Sequence, residues 1–123
     1  MIICKDEQAN IGRVLERLSW ANRVLLIDSG STDETLPIAQ RFSNVEVVQR
    51  AFDSFARQCN YGIANIQSAW VLSLDADYVL TPEFVESLNQ FTPPDDIWGY
   101  RITLKYCVYG RSDRKSTRLN SSH

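Results

Sequence analysis

Two rhythms of apolar residues alternate along this chain. Short apolar runs stand at Ile2–Cys4, Val24–Ile27 and Val45–Val48, and again at Val71, Leu72 and Leu74. Continuous runs of this length suit strands covered on both faces. Between them the spacing becomes helical. Ile11, Val14, Leu15 and Leu18 predict a helix over 9–18, and Leu36, Ile38, Ala39 and Phe42 a second. Phe55, Cys59, Gly62, Ile63 and Ile66 predict a third over 55–66, with those residues inward. The segment "AWVLSLDAD" reads as a strand, and "IWGYRITLKYCVYG" as a long one with Tyr100, Ile102, Leu104 and Tyr106 on one side. Strands alternating with helices predict an α/β fold, a mostly parallel sheet with helices on both faces.

Local signals support the helix starts. Ser31 or Asp33 can cap the second helix, Glu34 falls in its first turn, and Pro37 is tolerated only early in it. Thr81, Pro82 and Glu83 read as cap, first position and first turn of a fourth helix. Trp20, Trp70 and Phe84 read as core, and Cys107 as a small hydrophobe.

The chain has 123 residues, 44% hydrophobic and 23% charged, which fits one ordinary globular domain. No apolar run approaches a membrane span and no leader stands at the start, so the cytoplasm is the expected location. Three widely spaced cysteines without a CxxC pair read as reduced thiols. The last stretch, "DRKSTRLNSSH", has no apolar period and matches the conceptual translation of a common sequencing adapter without a mismatch. Residues 113–123 are therefore set apart as an artefactual or disordered tail, and 1–112 as the domain. Without the tail the chain is more acidic than its formal −2, which argues against nucleic acid as a partner. His123 goes with it, and with it histidine triads and histidine metal sites.

Open parallel sheets bind ligands outside the carboxyl ends of their strands. The residues predicted there are Lys5, Asp6 and Glu7, then Asp28 to Ser31, then Asp75 and Asp77. Residues two apart in extended chain project to one side, so Asp75 and Asp77 can share a hard cation such as Mg²⁺ or Mn²⁺. Aspartates are also common turn and cap residues, and both readings stand on the residues alone. "DSGSTDE" can present backbone N–H groups to a nucleotide, or be a tight turn before a capped helix. Phe52 and Phe55 can wall the site or pack.

"IICKDEQANIGRVLERL", "VLLIDSGSTDET" and "WVLSLDADYVLTPE", in this order, resemble the family 2 glycosyltransferases of GT-A fold. The tryptophan after the first helix, DSGSTD in place of DDGSTD, and "RAFDSFARQCNYGI" resemble the branch that includes lipopolysaccharide-core glucosyltransferases. The resemblance implies a truncated, Rossmann-like donor-binding half of an inverting enzyme. It implies a nucleotide-diphosphate sugar donor, a UDP-sugar, and a glycan or lipid-linked acceptor. It places Glu7, Asp28, Ser29, Arg57, Asn60 and Asp75 at the nucleotide sugar, with Gln58 beside them. It places Asp77 and Asp75 at a divalent metal, Mn or Mg, in the family's DxD motif. Ser29 stands where a second aspartate is usual, Cys59 where an arginine is frequent, and Cys4 where a threonine is frequent. The catalytic base lies further along in such enzymes and stays unassigned, so this fragment is expected to bind donor weakly at most. A lipid-linked acceptor would bring the parent to the inner membrane face, although no basic amphipathic helix stands here.

A receiver-type regulatory domain also gathers carboxylates and Mg²⁺ at strand ends. It needs a lysine ending a late strand, and none follows in place. A nucleotidyltransferase of related fold needs a glycine-rich loop with arginine after the first strand, which "CKDEQANIG" is not.

Overall fold

The computed structural model describes residues 1–108 and 111–120, with side chains through Tyr100 and at Ile102. Elements follow in the order β1 (Ile2–Cys4), α1 (Ile11–Glu16), β2 (Val24–Asp28), α2 (Thr35–Ala39), β3 (Val45–Gln49), α3 (Phe55–Ala64), β4 (Leu74–Asp75), α4 (Pro82–Asn89), β5 (Gly99–Val108) and β6 (Arg111–Asn120). The first four strands form one parallel sheet in the order β3-β2-β1-β4. This is the predicted α/β architecture.

All five residues of β2 are buried, because alternate side chains serve opposite faces. Val24 and Leu26 join Ile2 in a cluster with Ile11, Val14 and Leu15 of α1 and Ala39 of α2. On the other face Ile27 meets α3 where Gly62 lets the helix approach: a Cβ there would lie 2.8 Å from Ile27 Cδ1. Val85 and Leu88 of α4 pack on the edge of the first cluster.

The structure shifts several predicted boundaries. α1 is shorter than 9–18, since residues 8–10 form turns and Trp20 Nε1 bonds the Arg17 carbonyl at 2.9 Å beyond its end. Trp20 itself is exposed rather than core. Glu34, whose side chain makes no cap bond, occupies the cap position of α2; Ser31 bonds Asp28, while Asp33 accepts from the amide of Thr35, the first helical residue, at 2.9 Å. α3 keeps its expected face in part. Gly62 is buried and Cys59, Ile63 and Ile66 are half-buried as expected, but Phe55 is 58% exposed and the unpredicted Gln58 is fully buried. β4 spans only Leu74–Asp75, because its single partner is the three-residue β1. Thr81 caps α4 as predicted, accepting from the Phe84 amide at 3.2 Å, with Pro82 at the first position.

The long strand 99–108 pairs with β6 alone, antiparallel, as a second sheet. β6 takes in residues 113–120 of the segment set apart on sequence. The predicted facing of Leu104 and Tyr106 and the reading of Cys107 lie outside the described side chains.

Candidate functional site

The strand order places the reversal of chain progression between β1 and β4. In open α/β sheets that reversal opens a crevice beyond the carboxyl ends of the strands. A cavity of about 510 Å³ lies there, lined by Lys5, Glu7, Ser29, Phe52, Asp75 and Asp77 among others. A second cavity of about 340 Å³ lies at the opposite strand ends, against Ile2, Trp20, Val24, Trp70 and Phe91, and gathers none of the predicted site residues.

Two loops form the floor of the first cavity and are stitched together. Asp6 turns the chain with φ 52°, a left-handed conformation that aspartate tolerates better than most residues. Its amide donates to Ser31 Oγ at 2.9 Å, and its carboxylate accepts from the Thr32 amide at 2.8 Å. The Glu7 amide donates to Thr35 Oγ1 at 2.8 Å, the Gln8 amide to Asp33 at 3.2 Å, and the Glu34 amide to Gln8 Oε1 at 3.1 Å. The β1 and β2 loops therefore act as one unit. Glu7 is half-buried within it and accepts from Asn10 Nδ2 at 3.0 Å.

Asp28 ends β2 fully buried. Its Oδ2 accepts from the amides of Gly30 at 3.1 Å and Ser31 at 3.0 Å, and its Oδ1 from the Ser31 hydroxyl and the Cys4 thiol. Gly30, at φ 96°, supplies the turn that aims those amides back. Burial raises the Asp28 pKa, but the Ser31 hydroxyl, then the Ser31 and Gly30 amides, outweigh it and hold the carboxyl below its ordinary value. Burial, followed by the Asp28 charge, pushes the Cys4 thiol up to about 12. Asp28 thus faces its own loop and does not line the cavity.

Asp75 and Asp77 are exposed on either side of buried Ala76, and both line the cavity. Among the described residues, none donates a hydrogen bond to either carboxylate and no cation pairs with them. No group of three or more potential ligating side chains occurs among the described residues, so any metal here must complete its shell with other oxygens.

The structure brings together Glu7, Ser29, Asp75 and Asp77. It does not bring Arg57 or Asn60 to the cavity. Both are exposed on α3, and Arg57 pairs with Asp53 at 3.4 Å. Phe52 walls the cavity with 56% of its surface open, whereas Phe55 does not line it. Arg50 is a residue that no sequence signal singles out. It leaves β3, pairs with Asp53 at 3.0 Å, lies 5.3 Å from the Tyr61 ring centroid, and binds Gln58. A glutamine on a helix face otherwise read as apolar is the local signal for this network.

The described helices include none long and apolar enough to cross a membrane. The model of glycosyl transferase family 2 matches residues 1–102. The chain is 26% identical over 114 residues to the lipopolysaccharide core biosynthesis glycosyltransferase LpsC of Rhizobium meliloti, covering 89% of this chain and 42% of that protein. It is 31% identical over 107 residues to a glycosyltransferase of Rickettsia bellii, covering 84% of this chain and 36% of that one. Its fold is similar to the crystal structure of S. aureus TarS 1-349, with a TM-score of 0.61, 21% identity, and 72% of this chain and 30% of that chain covered. The match over residues 1–102, laid on a parallel sheet of GT-A type with its carboxylates gathered at one edge, shows that this chain belongs to glycosyl transferase family 2.

Proposed function

We propose that this chain is the donor-binding part of an inverting glycosyltransferase that takes a nucleotide-diphosphate sugar, a UDP-sugar, and serves a glycan or lipid-linked acceptor. The observation that carries the reading is the pair Asp75 and Asp77, exposed and in no described ion pair, in a cavity shared with Lys5, Glu7 and Ser29. Two carboxylates repel unless a positive charge lies between them. Mg²⁺ and Mn²⁺ bind through one or two carboxylates plus substrate phosphates, which fits this donor set. Asp77 and Asp75 would hold the metal, and when bound it neutralises charge on a departing diphosphate.

The chain's own residues do the rest of the binding. Glu7 and Ser29 face the nucleotide from the stitched loops, and Asp28 keeps the Gly30–Ser31 turn in the shape that presents Ser29. Phe52 forms one wall. Inversion needs a base within reach of the acceptor hydroxyl. We assign it to a part of the parent outside this chain, which spans about 42% of LpsC. The name of that relative supports lipopolysaccharide core biosynthesis as the setting. A lipid-linked acceptor of that kind would bring the parent to the cytoplasmic face of a membrane. We also take the domain to end near Ser112.

Calorimetric titration of the 123-residue chain with UDP and UDP-glucose, with and without Mn²⁺, tests the reading. Binding is expected only with metal and without turnover, and Asp77→Ala should weaken it by at least about tenfold, the loss of one charge-assisted ligand contact. Metal-independent binding, or binding indifferent to the substitution, removes the metal–diphosphate role.

A further inference from the structure

Gln58 is a polar side chain with 0% exposure in the middle of α3. Its amide orientation follows from the chemistry of its neighbours. A guanidinium can only donate, so the Gln58 oxygen faces Arg50 Nη1. The Gln58 Nε2 therefore faces the other way, and its two protons have two acceptors, the Arg50 carbonyl at 3.1 Å and Ser29 Oγ at 3.1 Å. Arg50 cannot swing to release it, being paired with Asp53 at 3.0 Å, laid against Tyr61, and tied by its own amide to the Asp28 carbonyl at 2.9 Å.

One consequence falls on Ser29. Its oxygen is already an acceptor from Gln58, so its proton must point elsewhere, and no described residue accepts it. Ser29 lines the cavity. We propose that buried Gln58, oriented by half-buried Arg50, makes the Ser29 hydroxyl a dedicated hydrogen-bond donor toward the cavity, so that position 29 recognises an acceptor oxygen of the ligand. Gln58 is then a positioning residue that acts through Ser29. This rests on the nucleotide-sugar reading and deepens it. A carboxylate at this position would select a ligand N–H, whereas this serine selects a lone pair. That lone pair can belong to a carbonyl of the base or to a phosphate oxygen, and the two sources are separable.

The test is calorimetry on the 123-residue chain with Mn²⁺, titrating UDP and using uridine and inorganic pyrophosphate as competing ligands, with melting midpoints recorded for every variant. Ser29→Ala should weaken UDP about tenfold, the order of one lost hydrogen bond. Loss of uridine competition places the acceptor on the base, and loss of pyrophosphate competition places it on phosphate. Ser29→Asp should bind more weakly than Ser29→Ala, because it opposes an acceptor with an acceptor. Gln58→Glu keeps a partner for Arg50 but can take the Ser29 proton, so it should match Ser29→Ala, and the double variant should lose no more than either alone. UDP affinity unchanged in Ser29→Ala, or raised in Ser29→Asp, overturns the donor role. Additive losses in the double variant overturn the coupling to Gln58. A wild-type chain that binds no UDP with Mn²⁺ removes the nucleotide reading and this inference with it.

Discussion

A carboxylate taken wholly out of water is tolerated at Asp28 because four donors surround it, two of them backbone amides fixed by the Gly30 turn. Asp28→Asn keeps the shape but turns an NH₂ toward one set of donors, so it should cost about 1–3 kcal/mol at neutral pH. The folded-state pKa lies below the ordinary carboxylate value. The stabilisation is therefore fully present above about pH 4, near the unfolded-state value, and is lost as pH falls through the lower folded-state value. Chemical denaturation of both proteins from pH 7 downward should show their stability gap closing below about pH 4. A gap that stays constant would mean the donor facing donors, not the charge, matters. At this scale the sequence shows which residues end the strands but not where their side chains point. "DSGS" marks Asp28 and Ser29 equally, yet the structure turns Asp28 inward to its own loop and leaves Ser29 on the cavity. Period-two alternation puts them on opposite faces, and the Gly30 turn decides which of them meets the cavity.

Among the elements, α3 shows why helical spacing located a helix but misjudged part of its face. The pattern counts Phe55, Cys59, Gly62, Ile63 and Ile66 as inward. Two contacts set the face: the close approach at Gly62 to Ile27, which the pattern includes, and the contact of Gln58 with Arg50 and Ser29, which it does not. The second is tertiary and polar, so apolar spacing does not register it, and Phe55 stays exposed. Gly62→Ala tests the first. Alanine is the better helix former by up to about 1 kcal/mol. Its methyl would nonetheless sit 2.8 Å from Ile27 Cδ1 and closer still to Met1 Sδ. Overpacking of this kind costs about 1–3 kcal/mol, so net destabilisation is expected in a urea melt. Stabilisation would show that Met1 and Ile27 yield freely. By contrast, "TPE" at α4 was readable in full, because a threonine cap, a proline at the first position and a first-turn acid act within one turn of chain. β4 was readable in position but not in length, which its partner β1 limits.

For the whole molecule, the β5–β6 ribbon stands as a sheet apart from the four parallel strands. A two-stranded hairpin is marginal in water, and "DRKSTRLN" brings one large apolar residue to it. A chain ending at Ser112 should keep the cooperative unfolding of the parallel sheet, with a stability change under about 0.5 kcal/mol. A larger loss by urea denaturation would make the ribbon part of the domain. The fold class was legible at this scale because alternating strand and helix periods leave few arrangements. The strand order was not, since nothing local tells β4 to pass β3 and β2 and settle beside β1.

That order has a consequence for how the molecule comes into being. During synthesis β1, β2 and β3 emerge in turn, and each finds a neighbour close behind it. The outer side of β1 stays unpaired until Leu74 and Asp75 arrive to join Ile2 and Ile3. An open strand edge is a site for mispairing with other chains. Asp75 therefore rides on the last of the four described parallel strands to arrive, with Asp77 just beyond it. Nascent chains stopped short of it would carry an exposed edge and no anionic pair.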